Sequence, residues 1–273
     1  MNFKKFSVYI IQSLKKDETQ TGTKLYEELK IKSCINNEFK PQLVDIDTKK
    51  QLLYFLTNLK SDIVKLQIYP VLHIEIHGTN DYIGLVLKNE EFITWKEILD
   101  YFIEINIVLK NELFLFLAVC HGNSIISYID IKKRAPFRGI IGISGEINNR
   151  TNLKAWTSFY DTLFRFYPEG DPFTNKMDFD KAFSLLNFAI PENQSKYKII
   201  DSEFCFDQIS SMDFEKPHLK SAINFEMVKV KNINSFYENK PIQTMKEDFK
   251  NDLKIQNIIS KDKKGFFLME DLQ

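Results

Sequence analysis

Val71-Leu72-His73-Ile74-Glu75-Ile76-His77-Gly78 and Leu113-Phe114-Leu115-Phe116-Leu117-Ala118-Val119-Cys120-His121-Gly122 decide how this chain is read. Each is a short, strongly apolar run that ends in a polar residue and a glycine, the pattern of a strand buried on both faces of a sheet. Each also ends in a chemically active side chain: His77 in the first and, 43 residues later, Cys120 in the second. In an open parallel sheet the ligand crevice lies outside the carboxyl ends of the strands. If the two runs are parallel neighbours, both side chains face that crevice. Gly78 follows His77 directly, and a residue without a side chain lets its N–H approach a reacting carbonyl closely.

The pairing points to a Cys–His hydrolase. A free cysteine with a pKa near about 8.5 is only a few per cent thiolate at neutral pH. A neighbouring imidazole raises that fraction and delivers a proton to the leaving group. Cys120 is therefore the expected nucleophile and His77 the expected acid and base. The N–H groups of Gly78 and Cys120 are the expected oxyanion hole, where loss of one donor costs on the order of a hundredfold in rate.

Around these two runs the sequence alternates short β-branched stretches with helical periodicity, so an α/β fold with a mostly parallel central sheet flanked by helices is expected. Phe6 to Gln12, Gln42 to Ile46, Val71 to Ile76, Leu113 to Val119 and Gly139 to Ile143 read as successive strands. Thr23 is expected to cap a helix through Lys30. Thr48 with Gln51, and Thr94 with Glu97, form capping boxes ahead of apolar stripes. Ile83 to Leu87 and Glu91 to Ile93 alternate around Lys88-Asn89-Glu90, a hairpin placed over the site. Asn123 and Ser124 read as the cap of a helix starting after Cys120, whose N-terminal partial charge favours a thiolate. Trp156, Phe159, Tyr160 and Leu163 are spaced as one buried helical stripe, and Phe179, Phe183, Leu186 and Ile190 as another that stops at Pro191. Tyr197 to Phe206 reads as a further strand.

His73, Glu75 and His77 share one strand face with Cys120 nearby, which raises a metal reading. Period-two spacing spreads them over roughly 13 Å of strand, and the helical His-Glu-x-x-His pattern is absent. No metal and no cofactor are expected. His73 reads as a buried, hydrogen-bonded residue, Glu75 as a carboxylate that orients a ring or lines the cleft, and His121 as structural. Asp81, in the loop after His77, either touches substrate or caps the hairpin.

On these residues the chain resembles the caspase-like cysteine peptidases, and among them the bacterial CHAT-domain proteases. The likeness rests on His73-x-x-x-His77-Gly78, on Ala118-Val119-Cys120-His121-Gly122, on the strand Gly139 to Gly145 and on the aromatic helix after it, and it covers roughly residues 5 to 190. It implies a three-layer sandwich as the fold and endopeptidase action on protein or peptide substrates through the dyad His77 and Cys120. No third side chain is needed, because in such enzymes a backbone carbonyl can orient the ring. Caspases place a glutamine two residues before the cysteine, where it helps bind an aspartate; here that position is Ala118, so aspartate specificity is not expected. Glu146 beyond the fifth strand would favour lysine or arginine before the scissile bond, and Arg138 or Arg150 an acid. Only His121 to Arg138 separate the cysteine strand from the next, so activation by cutting a linker gives way to activation by a small molecule or a protein partner. The amino-acid usage, rich in Lys, Ile and Asn, suggests an AT-rich microbial genome, and with it the resemblance points to an effector in bacterial antiphage defence or cell death.

Composition sets the outer bounds. With 273 residues, 44% hydrophobic and 14% aromatic, the chain can bury a large core and is not a disordered sequence. A peptidase domain over 1–206 and a lysine-rich C-terminal extension over 207–273, of unknown role, are the expected organisation. Thirty-seven basic and 37 acidic residues balance, which gives no electrostatic case for nucleic acid or an anionic membrane. Cys34, Cys120 and Cys205 are too scattered for a disulfide framework, and the odd count suits a reducing, cytoplasmic setting. The opening Phe6 to Gln12 run is too short for a signal peptide, and no stretch approaches the apolar length of a membrane span.

Overall fold

Parallel strands joined by helices arise here from alternation: β-branched and aromatic runs that bury both faces, separated by amphipathic helices that cover them. A computed structural model describes residues 5–34, 39–131, 133–165, 176–202, 205 and 266. The elements follow in the order β1 (Lys5–Ser13), α1 (Thr21–Ser33), β2 (Phe39–Asp45), α2 (Lys49–Leu66), β3 (Ile68–Gly78), β4 (Gly84–Val86), β5 (Phe92–Thr94), α3 (Trp95–Val108), β6 (Phe114–Leu117), β7 (Gly139–Ile143), α4 (Asn149–Arg165), α5 (Lys176–Phe188) and β8 (Tyr197–Asp201). A 3-10 helix, Gly122–Tyr128, lies between β6 and β7.

The sheet order is β2-β1-β3-β6-β7-β8, with β4 and β5 attached as a hairpin at the end of β3. The first five strands of that order run parallel and β8 closes the edge antiparallel to β7. This is the expected α/β layout. All five expected core strands are present within a few residues of the stated bounds, and the further strand ends at Asp201. The 207–273 extension lies outside the described residues except Phe266, which is 1% exposed and whose carbonyl accepts from the Ala135 N–H at 2.7 Å.

Two hydrophobic layers enclose the sheet. One face packs Leu72, Ile74 and Leu115 under α2 and α3. The other packs Val71, Phe116 and Ile141 under α1, α4 and α5. Trp156, Phe159, Tyr160 and Leu163 are all fully buried in the second layer, as their spacing predicts. Trp156 stacks on Phe116 with ring centroids 5.5 Å apart and meets Phe159 edge-on at 5.4 Å, geometries that add to plain burial.

Both capping boxes form: Thr48 accepts from Gln51 N–H and Thr94 from Glu97 N–H, each with the reciprocal bond. The start of α1 differs from expectation. The helix begins at Thr21, because the Thr23 hydroxyl is taken up as an acceptor for Gln12 Nε2 at 3.2 Å and the Thr23 N–H is capped by Gln12 Oε1 at 2.9 Å. A buried side chain from β1 does the work expected of a local cap.

Candidate active site

Strand register brings the two candidate residues together. Between β3 and β6 the pairs run from Val71↔Phe114 to Ile74↔Leu117, and Ala118 N–H still donates to Ile74 O at 3.0 Å. Continued past the end of β6 at Leu117, the same 43-residue offset aligns Cys120 with His77 at the crevice end of the two parallel strands. An independent contact agrees: a Cβ placed on Gly78 would lie 2.1 Å from the Cys120 carbonyl oxygen. Only a glycine allows the two backbones to meet this closely.

Immediately after Cys120 the chain turns sharply. His121 has φ 58°, and its N–H donates to Gly145 O at 3.1 Å. Its Nδ1 is 2.9 Å from Ser144 O and its ring meets Tyr82 at 4.4 Å. His121 is thus a structural residue that ties the cysteine loop to the loop after β7. The expected Asn123–Ser124 cap is corrected here. The 3-10 helix starts at Gly122 without a side-chain cap. Asn123 Nδ2 instead donates to Ser144 Oγ at 3.2 Å, and Ser124 Oγ accepts from Trp95 Nε1 at 2.8 Å. Because the following helix is a short 3-10 segment, the helix-dipole argument for a thiolate at Cys120 loses its basis.

Cys120 is half-buried. Its Sγ lies 3.9 Å from Ile147 O and makes no hydrogen bond with His77. Its N–H donates to no protein acceptor among the described residues. His77 is half-exposed, and its Nε2 lies 3.0 and 3.1 Å from the two carboxylate oxygens of Glu18. Glu18 stands in the loop between β1 and α1. The sheet order β1-β3-β6 therefore sets His77 between a carboxylate on one side and a thiol on the other.

One row deeper, Gln12 pairs with Glu75 across β1 and β3, and the 43-residue offset sets Ala118 beside Glu75. Glu75 is 2% exposed; its Oε2 accepts from the Thr21 hydroxyl at 2.7 Å and its Oε1 is 3.1 Å from His73 Nε2. The Tyr160 hydroxyl completes the chain, 3.1 Å from His73 Nδ1. Burial, and then the charge of Glu75, push the Tyr160 hydroxyl well above its ordinary pKa, so it stays a donor. Donors and acceptors then close: Tyr160 to His73 Nδ1, His73 Nε2 to Glu75, Thr21 to Glu75. Glu75 orients the buried His73 ring rather than His77. Tyr197 lies nearby, its hydroxyl raised well above its usual pKa by burial and by the charges that Glu75 and Cys120 carry when ionised, against the opposing bond from Trp156.

The remaining candidates are dispersed. Glu146 and Asp81 are exposed, and Asp81 Oδ1 is 3.4 Å from Ile83 N, where it supports the hairpin turn. Ala118 is buried at 7% exposure. Arg150 is exposed at the start of α4. The expectation for Arg138 is corrected: it precedes β7 at the end of the strands opposite the crevice, paired with Glu112 and set over the Phe114 ring. A parallel strand carries its first residue far from its crevice end. Glu18 is the residue that sequence reading missed, since neither periodicity nor a motif marks a lone carboxylate in a loop.

No protein-family model and no curated protein matches the sequence. Among solved structures, the crystal structure of the Drosophila initiator caspase Dronc matches 75% of this chain and 82% of that one, with a TM-score of 0.52 and 12% identity. The chain has a caspase-like fold. In this fold the β4–β5 hairpin grows from the end of β3, pairing Val86 with His77 and Leu85 with Gly78, as the sequence leads one to expect. The loops around the crevice are laced together. Ser13 Oγ donates to Ile46 O at 2.8 Å and accepts from Lys88 N–H at 3.0 Å. Lys88 Nζ reaches Asp45 at 2.9 Å and Asp47 at 2.7 Å, and Lys15 reaches Glu90 at 2.9 Å. Among the described residues no helix is long and apolar enough to cross a membrane, and no group of three or more His, Cys, Asp or Glu is arranged to hold a metal ion.

Proposed function

We propose that this chain is a cysteine endopeptidase with a caspase-like fold. The observation that carries the reading is the register that sets Cys120 opposite His77 at the crevice end of two parallel strands, with Gly78 against the Cys120 carbonyl. The Cys120 thiolate attacks the peptide carbonyl carbon, and the developing oxyanion is held by the N–H groups of Cys120 and Gly78. His77 gives a proton to the leaving amine as the C–N bond breaks, which leaves a thioester on Cys120. Water then attacks the thioester, His77 takes one of its protons, and the C–S bond breaks to release the carboxylic acid and restore the Cys120 thiolate beside protonated His77.

Substrates on this reading are proteins or peptides. Ala118 supplies no polar group to a substrate side chain, so the preference before the scissile bond falls to other residues, for which the exposed carboxylates Glu146 and Asp81, in the loops after β7 and β3, are our candidates. The Cys120 Sγ rests by Ile147 O and makes no hydrogen bond with His77. Catalytic hydrogen bonds commonly tighten only when substrate is bound, and this resting arrangement favours an effector that answers to a small molecule or a protein. The CHAT-type branch, and a role in bacterial antiphage defence or cell death, are the setting we propose for it.

The test is digestion of a mixed peptide library by wild type and Cys120→Ala, with and without lysate from stressed or infected cells. Cleavage that disappears in Cys120→Ala supports the nucleophile and reads out the preferred residue. A complete lack of Cys120-dependent cleavage, together with no selective labelling of Cys120 by a thiol-reactive peptide probe, turns the assignment to a catalytically silent module that binds a ligand or partner.

A further inference from the structure

We infer that Glu18 is the positioning residue for His77, making the site a Cys–His–Glu triad; this rests on the peptidase reading of Cys120 and His77. Both Glu18 carboxylate oxygens lie within 3.1 Å of His77 Nε2. A carboxylate only accepts, so Nε2 carries the hydrogen. That fixes the tautomer and leaves Nδ1 as the nitrogen that exchanges the proton with Cys120 and the leaving group. A base held by a third group in this way is the general logic of activated nucleophiles.

The contact is built rather than incidental. Glu18 is presented by a closed turn in which Lys15 N–H donates to Glu18 Oε2 at 2.8 Å and Glu18 N–H donates back to Lys15 O at 3.1 Å. The Gln20 amide clamps the turn from beneath, donating to Lys15 O at 2.7 Å and to Glu18 O at 3.1 Å. Gln20 Oε1 in turn accepts from the buried Gln12 Nε2 at 2.9 Å. The chain of bonds therefore runs from the sheet interior, through Gln12 and Gln20, to the carboxylate that meets His77. Partial burial alone would raise the Glu18 pKa, but the Lys15 N–H, His77 and the Lys15 charge outweigh it and hold the group below its ordinary value. The carboxylate is thus in its accepting form at neutral pH. Position in the sheet gives the geometry its sense, because β1 and β6 flank β3 on opposite sides. Glu18 approaches the ring from the β1 side while Cys120 waits on the β6 side.

The experiment compares wild type, Glu18→Ala, Glu18→Gln, Glu18→Asp and Cys120→Ala in full-length protein. Two readouts are taken: kcat and KM on a peptide whose cleavage depends on Cys120, and the imidazole nitrogen shifts of histidine-labelled protein. With four histidines in the chain, the His77 signals are assigned by a His77→Gln variant. The expected result is an Nε2–H tautomer for His77 in wild type and a mixed tautomer in Glu18→Ala. There kcat falls about tenfold to a hundredfold with KM little changed, and Glu18→Asp recovers part of the rate. If the tautomer and kcat of Glu18→Ala match wild type, the role of Glu18 is overturned and the dyad stands. If Glu18→Ala is faster than wild type, the contact is inhibitory and the inference is likewise overturned. If wild type shows no Cys120-dependent cleavage, the peptidase reading fails, and the triad with it, whatever the tautomer does.

Discussion

Glu75 and Gly78 stand three residues apart on one strand and are constrained for opposite reasons. Glu75 is a buried carboxylate whose cost is met by Thr21 and His73, so removing it strands both partners. Glu75→Leu is expected to lower stability by about 3–5 kcal/mol, as for breaking a buried pair from one side, and Tyr160→Phe by about 1 kcal/mol; urea unfolding of both variants measures the difference. Gly78 is constrained by space, with the Cys120 carbonyl oxygen where a Cβ would sit. Gly78→Ala must push the two strand ends apart. The expected outcome is a folded protein with far-UV circular dichroism like wild type but Cys120-dependent cleavage reduced at least a hundredfold, the loss typical of an oxyanion donor moved out of place. Near-normal cleavage in that variant would remove Gly78 from the oxyanion hole. The thiols should also differ sharply. Burial, and then the charge of Asp201, push the Cys205 thiol up to about 12, so alkylation of native protein at neutral pH is expected at Cys120 and the exposed Cys34 and not at Cys205, as mass mapping would reveal.

At the level of elements, helix starts carry much of the local definition. The α3 box links Thr94 to Glu97, and Lys49 from α2 pairs with the same carboxylate at 2.6 Å. The Lys49 hydrogen bond first, and then the Thr94 N–H, hold Glu97 down to about 2. A carboxylate depressed in the folded state adds stability that is present above its unfolded pKa, near about 4.3, and is lost as pH falls through the folded value. The group is largely exposed, so the contribution is modest, under about 1 kcal/mol. Glu97→Gln is therefore expected to melt slightly lower than wild type at pH 7, with the gap closing between about pH 4.5 and pH 2; a gap that persists at pH 2 would refute the linkage. Both boxes and the strand ends were legible from sequence because they are local: the partners lie three residues apart and need no tertiary context. The α1 start and the segment after Cys120 were not, because Gln12 takes the Thr23 N–H and Trp95 takes the Ser124 hydroxyl from distant elements.

Across the whole molecule, the two packed layers draw on residues from nearly every part of the described chain. Phe266 belongs to the same core layer as Phe137 and Ile131, so Phe266→Ala is expected to destabilise the whole domain by about 3 kcal/mol, measured as a fall in Tm. An unchanged Tm would detach that residue from the cooperative unit. The α/β layout could be read before any coordinates because it follows from period: apolar runs of strand length with amphipathic helices between them, while the caspase-like character rested on the resemblance of the segments that end in His77 and Cys120. These are properties of consecutive residues and of spacing along one chain. What only the tertiary structure decided are the contacts made across it. Register showed that the strands bearing His77 and Cys120 are neighbours; the β1–α1 turn brought Glu18 to the His77 ring; and parallel direction carried Arg138 to the far end of the strands. No local pattern encodes such pairings, since each depends on which strands lie side by side and on hydrogen bonds between residues tens of positions apart.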